Sequence, residues 1–246
     1  MPNIVKKTTF PGLFSLLAPH SCRGCGSLGS PLCDRCKKYI ISRHQNLCPI
    51  CQHSNLTGKC SNCPALPPIF IAGQRSDLLG DLIHAYKYES VRSLAHPLAE
   101  ILNSVLPLND APTVIIPLPT TSQHIRERGF DHTKLIAKHL AKLRPGCTVA
   151  SLLTRNQNTV QVGSSREARL TQAAKAYQLS KTFTPDPKTT YVLFDDVWTT
   201  GASLQSAHAL LKKAGTKNII IAALALSCYS ATPKSQSSQL QTLGNK

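Results

Sequence analysis

Two adjacent carboxylates and a hydroxyl-rich turn form the part of this sequence best suited to chemistry. Asp195 and Asp196 follow an apolar run, and the turn contains Thr199, Thr200, Gly201, Ala202 and Ser203. Carboxylates accept hydrogen bonds from neighbouring sugar hydroxyls, and threonine and serine hydroxyls donate to phosphate oxygens. The pattern therefore predicts a site for a phosphorylated sugar.

The flanking residues predict a strand, a tight turn and a helix. Residues 191–194 are apolar and β-forming, as in a strand buried inside a parallel sheet, which puts the two acids at its carboxyl end. Helical spacing follows from Ala202 to Ala214, so free backbone N–H groups would face the loop and attract an anion. An incidental acid pair on the same elements is the alternative, but adjacent buried charges are costly without a partner.

A second chemical signal lies in eight of the ten cysteines, which form four Cys-x-x-Cys pairs. The paired residues are Cys22 and Cys25, Cys33 and Cys36, Cys48 and Cys51, and Cys60 and Cys63. Two such pairs supply the four thiolates of a closed structural zinc site, so the spacing predicts two zinc ions. Sequential pairing is favoured because each pair brackets a short loop, and a cross-braced pairing is the alternative.

Redox and disulfide interpretations of the cysteines are disfavoured. A redox motif uses one Cys-x-x-Cys, and secreted disulfide domains seldom draw all their cysteines from such pairs. His20, His44 and His53 could each replace a thiolate, but with eight cysteines we expect them at the surface. Cys147 and Cys228 lie in apolar runs and are expected to be small buried residues.

The order of segments predicts an α/β domain behind the cysteine module. Strand-like and helix-like segments alternate at 69–75, 78–88, 94–106, 113–117, 130–143, 148–153, 166–176 and 219–226. This alternation predicts a parallel sheet flanked by helices, with ligands at the carboxyl ends of its strands. We predict three parts: an N-terminal helix and zinc module (1–68), the α/β domain (69–229) and a disordered polar tail (230–246).

Charge and hydropathy restrict the partners. The net charge is +16, and residues 1–68 contain eight Lys or Arg against the single acid Asp34. Such a module favours the phosphate backbone of a nucleic acid, with a merely solubilising surface as the alternative. No apolar run approaches the roughly 20 residues of a membrane span, and residues 10–18 predict a docking helix rather than a secretion signal. Thiolate zinc sites require a reducing compartment, which predicts a cytoplasmic location.

With the cysteine pairs near the N-terminus and the acidic loop toward the C-terminus, the chain resembles the ComF family over nearly its whole length. Further matching stretches are residues 82–88, 115–119 and 126–130, and Arg155 with Gln161, Gly163, Arg166 and Arg169. The resemblance implies a type I phosphoribosyltransferase-like fold that binds phosphoribosyl pyrophosphate (PRPP) with magnesium. Asp195 and Asp196 would hold the ribose, and Thr199, Thr200, Gly201, Ala202 and Ser203 the 5′-phosphate.

The same resemblance assigns the diphosphate to the loop at residues 117–122. Arg126 is the strongest basic candidate there because we expect it in a Gly-bounded loop, and Lys87 and Arg128 are further candidates. A solvated surface charge is the alternative for each. The chain departs from the family at Asp131, His132 and Gln172, and we expect Asp131 to cap the following helix.

Two functions follow from the resemblance. In one, an unknown acceptor attacks PRPP and the chain is an active phosphoribosyltransferase in nucleotide or salvage metabolism. In the other, PRPP is a ligand of a protein that handles or imports single-stranded DNA during natural transformation, with competence proteins such as a DNA-translocating helicase as further partners. We favour a combined interpretation, a PRPP-binding competence protein for which transferase chemistry is an open possibility.

Overall fold

The computed structural model describes residues 20–108, 110–155 and 176–227. The predicted helix at 10–18, nearly all of segment 166–176, Cys228 and the predicted polar tail lie outside these residues. The elements are α1 (Asp34–Ser42), β1 (Ile69–Gln74), α2 (Asp77–Tyr88), a 3₁₀ turn (Arg92–Leu94), α3 (Ala95–Asn103), β2 (Thr113–Pro117), α4 (Ser122–Arg128), α5 (His132–Leu143), β3 (Cys147–Val149), β4 (Leu153–Arg155), β5 (Tyr177–Leu179), β6 (Thr190–Trp198), α6 (Ala202–Lys213) and β7 (Ile219–Leu226).

Five strands form a parallel sheet in the order β1-β7-β6-β2-β3. The predicted α/β class is therefore confirmed, and β6 lies at the centre of the sheet. Parallel strands that are covered on both faces are apolar along their length, which explains why residues 191–194 contain no polar side chain other than the Tyr191 hydroxyl.

Alternate residues of β6 contribute to two separate cores. Val192 and Phe194 pack into the core that α2, α3 and α5 cover, which we call the α5 face. Tyr191 and Leu193 pack into the core that α6 covers, which we call the α6 face. Because successive strand side chains point to opposite faces, this alternation also decides where the two acids point.

Two predicted segments differ from the structure. Segment 94–106 begins as a 3₁₀ turn, and its α-helix ends at Asn103. Segment 148–153 divides between β3, at the edge of the main sheet, and β4, which pairs antiparallel with β5. The partner β5 lies more than 20 residues away in sequence, so a local apolar pattern could not reveal this second, two-stranded sheet.

The cysteine module packs directly on the α/β domain. Arg23 forms an ion pair with Glu89 at 2.6 Å, and Lys37 forms one with Glu100 at 2.8 Å. Buried Ile40 of α1 is continuous with the core of the α5 face. Within the described residues, no helix has both the length and the apolar character that crossing a membrane requires.

Candidate functional site

The central strand continues through both acids before the chain turns. Asp195 is in register with Ala223 and Trp198 with Leu226 of β7. The acids therefore lie within the last four residues of β6, at the carboxyl edge where the sequence predicted them. Ligands of open α/β sheets bind at this edge.

The turn after β6 depends on Gly201. Its φ of 72° is left-handed, and a Cβ there would lie 2.1 Å from Cζ2 of Trp198. Trp198 is 1% exposed, so its ring packs beneath the turn. Thr199 and Thr200 are exposed above it, and α6 begins immediately at Ala202. The loop thus places exposed hydroxyl groups next to the first turn of a twelve-residue helix.

The two acids occupy different environments. Asp196 is 4% exposed and points to the α5 face, where its Oδ2 contacts Lys87 Nζ and lies 2.9 Å from His132 Nε2. The Lys87 contact is an ion pair, and His132 Nε2 lies within hydrogen-bonding distance of the carboxylate. Asp195 is half-buried and points to the α6 face, with its Oδ1 accepting from the Asp196 N–H at 2.9 Å.

The acids also differ in how readily they ionise. Burial opposes the charge on Asp196, but the His132 contact and the Lys87 charge outweigh it and hold the pKa of Asp196 below its usual range. Burial and the neighbouring Asp196 charge raise the pKa of Asp195. Part of the Asp195 side chain nevertheless reaches solvent. Asp196 is therefore the more readily ionised acid of the pair.

Tyr177 of β5 approaches Asp195 from the α6 face. Burial raises the pKa of the Tyr177 hydroxyl, and the nearby Asp195 charge raises it further. A hydrogen bond with Ser203 lowers the same pKa. The Arg155 guanidinium lies over the Tyr177 ring, 5.9 Å from its centre. Sequence reasoning missed Tyr177, because the pairing of β5 with β4 and its packing on α6 bring it here.

The four Cys-x-x-Cys pairs form two clusters of four. Cys22, Cys25, Cys33 and Cys36 make one, and Cys48, Cys51, Cys60 and Cys63 make the other; in each, all sulfur atoms lie within 4.8 Å of one another. The pairing is sequential. Four thiolates around zinc at about 2.3 Å would be separated by about 3.8 Å, and Sγ atoms lie 3.6 Å apart between Cys25 and Cys33. This donor set and spacing fit structural zinc.

The thiols of the first cluster cannot all ionise alike. A hydrogen bond with Ser27 lowers the pKa of Cys25 to about 5, whereas burial raises that of Cys36 to about 12. Neighbouring thiols cannot all lose their protons, because the resulting negative charges repel one another. A bound cation offsets that repulsion and lets all four serve as thiolates.

Two curated relatives match most of the chain, while no protein-family model matches it. Competence protein F of Haemophilus influenzae is 28% identical over 214 residues, covering 79% of this chain and 90% of the relative. Competence protein ComFC of Streptococcus pneumoniae is 24% identical over 221 residues, covering 86% and 90%. The chain is a ComF/ComFC homologue.

Among solved structures, a hypoxanthine phosphoribosyltransferase from Staphylococcus aureus aligns with 57% of this chain, over 65% of the phosphoribosyltransferase chain. The TM-score is 0.33 and the identity is 14%. A match of that extent carries no conclusion about function.

The basic residues proposed for the diphosphate loop do not all lie where the sequence predicted. Arg126 lies on the exposed side of α4, so its expected place in a loop is wrong. Instead, buried Arg128 contacts His132, and the half-buried Lys87 contacts Asp196. The prediction for Asp131 is confirmed, because its side chain accepts from the Lys134 N–H at the start of α5. The position after it, His132, is the contact that sequence reasoning did not anticipate.

Proposed function

We propose that this chain is a PRPP-binding, phosphoribosyltransferase-like protein that handles incoming single-stranded DNA during natural transformation. The observation that carries the proposal is the β6–α6 junction, where a hydroxyl-rich loop at a helix start adjoins the half-exposed Asp195. The names of the two relatives support the pathway.

The loop accounts for both ends of the sugar phosphate. Hydroxyls of Thr199, Thr200 and Ser203 and the N–H groups that begin α6 would bind the 5′-phosphate. Asp195 would accept from the ribose hydroxyls. Asp196 was predicted to share that role, but its engagement by Lys87 and His132 favours Asp195 as the direct contact.

Magnesium would enter with PRPP and neutralise the diphosphate when bound. Asp195 is the half-exposed carboxylate beside the loop and is the residue that fits a metal–ribose complex. The loop at residues 118–121 borders the same edge of the sheet, because the Leu118 N–H donates to the carbonyl oxygen of Phe194 on β6.

The cysteine module supplies the proposed contact with DNA. Among the described residues of the module, Arg23 and Lys37 form ion pairs with the α/β domain, and Arg35 interacts with the Cys25 thiol. The described cations outside these contacts are Lys38, Arg43 and Lys59. Arg43 lies over the Tyr39 ring, which is 47% exposed. Cations beside an exposed aromatic ring are the combination that binds single strands without sequence preference.

Phosphoribosyl transfer is the second candidate, with no role for DNA. An acceptor would attack the anomeric carbon as diphosphate leaves, and the protein would act by positioning and charge stabilisation. Tyr177 and Ser203 beside Asp195 favour this candidate, because they add polar groups that can hold a ribose in place.

Gene deletion, with complementation by the wild-type or the Asp195→Asn gene, separates the competence role from phosphoribosyl transfer without DNA. The competence role predicts lower transformation frequency after deletion, with DNA import measured separately to locate the defect. Unchanged frequency in a competent host would contradict the role. Diphosphate release from PRPP by purified protein with candidate acceptors would favour the transferase.

A further inference from the structure

A chain of polar contacts connects three elements to the buried acid of β6. His132 opens α5 and is 6% exposed. Its Nε2 lies 2.9 Å from Asp196 Oδ2, and its Nδ1 lies 2.9 Å from the guanidinium of Arg128. Lys87 of α2 contacts the same Asp196 oxygen. All four side chains are largely removed from solvent.

The Arg128 contact decides which ring nitrogen of His132 carries the proton. A guanidinium has only N–H donors and stays charged, so the atom facing it must be an acceptor. Nδ1 must therefore be the unprotonated nitrogen, and Nε2 must carry the hydrogen that faces Asp196. A second proton on Nδ1 would place two donors against each other.

The same imidazole adjoins the predicted diphosphate loop. The Thr120 hydroxyl lies 3.2 Å from His132 Nδ1 and donates to Asp131 at 3.3 Å. The Tyr86 hydroxyl donates to the backbone carbonyl of His132 at 2.8 Å, which fixes the start of α5. His132 is thus held by residues from α2, α4 and the loop together.

We infer that His132, whose Nε2–H is directed at Asp196 because Nδ1 faces Arg128, is a positioning residue that orients the Asp196 carboxylate and couples it to the loop at residues 118–121. The inference rests on the proposed function only in treating this edge of the sheet as a ligand site. Asp196 then fixes one negative charge on the α5 face, and the ligand meets Asp195 on the other side of the strand.

Nitrogen-15 NMR of zinc-loaded, histidine-labelled protein tests the tautomer without any ligand. We expect the His132 proton on Nε2 and not on Nδ1, and we expect Arg128→Gln to allow both tautomers. In aspartate-labelled protein, the carbon-13 signal of the Asp196 carboxyl should remain that of a carboxylate to the lowest pH at which the chain stays folded. In His132→Leu the Asp196 carboxyl should titrate at higher pH. A proton on Nδ1, or an unchanged Asp196 titration in His132→Leu, would overturn the inference.

Titration of Mg-PRPP into the same variants tests the coupling. His132→Leu should weaken binding at least tenfold, and His132→Gln, whose amide can donate in place of Nε2–H, should restore most of it. His139→Leu, on the same helix and outside the group, is the control. Equal affinity in His132→Leu and wild type would refute the coupling. If wild type binds no Mg-PRPP, the proposed function fails, while the NMR result still decides the positioning role.

Discussion

Asp195 and Asp196 are adjacent in sequence, yet their side chains lie on opposite faces of the central strand. Asp196 is buried against Lys87 and His132, and Asp195 is half-buried and close enough to Tyr177 for its charge to affect the pKa of the phenol. One acid therefore maintains the structure of the site, and the other remains available to a ligand. Substitutions at the two positions should have different effects on stability and on binding.

Asp196→Asn should destabilise the fold by about 3–5 kcal/mol, because it leaves the half-buried Lys87 without its counter-charge. The pKa of Asp196 is lowered in the folded state. Its stabilising contribution is thus complete above the unfolded pKa near 4 and is lost as the pH falls below that value. Denaturant unfolding at several pH values should show that the difference in free energy of unfolding between wild type and Asp196→Asn becomes smaller in acid. A difference that grows in acid would contradict this assignment.

Gly201→Ala should damage both stability and ligand binding. The left-handed φ costs an ordinary residue about 1–2 kcal/mol, and the new Cβ would also collide with the Trp198 ring. Gly146→Ala is the matched control, because Gly146 has a φ of 76° with open space around its Cβ position. Thermal unfolding should show the larger loss for Gly201→Ala. Equal losses would mean that Trp198 does not support the turn.

Metal analysis of protein purified without chelators should find two zinc ions per chain. Cys36→Ser should lower this number to one, whereas Cys147→Ser, which changes a cysteine outside both clusters, should leave two. Chelation should also unfold the module, since the binding energy of structural zinc is folding energy of about 10–16 kcal/mol in small zinc domains. Zinc-free protein with an intact module would refute the structural role.

Binding of a single-stranded oligonucleotide should weaken steeply with salt. Replacing Lys38, Arg43 and Lys59 with glutamine should flatten the plot of log affinity against log salt by about 0.7 for each phosphate that the protein no longer neutralises. Lys181, Lys188 and Lys212, which are exposed on the α/β domain, provide an equal change of charge as control. If both triple variants flatten the plot equally, DNA binding is not specific to the cysteine module.

Local patterns were sufficient for much of this molecule. The bounds of β2 and β7, the loop that starts α6 and the cysteine clusters all follow from residue spacing and periodicity. The patterns could not show that β6 runs through both acids, because that depends on its ladder with β7. They also missed Tyr177 and His132, whose positions are set by strand pairing and helix packing between distant segments.

Calorimetric titration of Mg-PRPP into the zinc-loaded chain, with Asp195→Asn as the paired variant, tests most directly whether the β6–α6 junction is a PRPP site. We expect one binding event per chain in wild type and affinity at least tenfold lower in the variant, with little change in its unfolding midpoint. Absence of binding to wild type, or equal affinity in Asp195→Asn, would contradict that role for the junction.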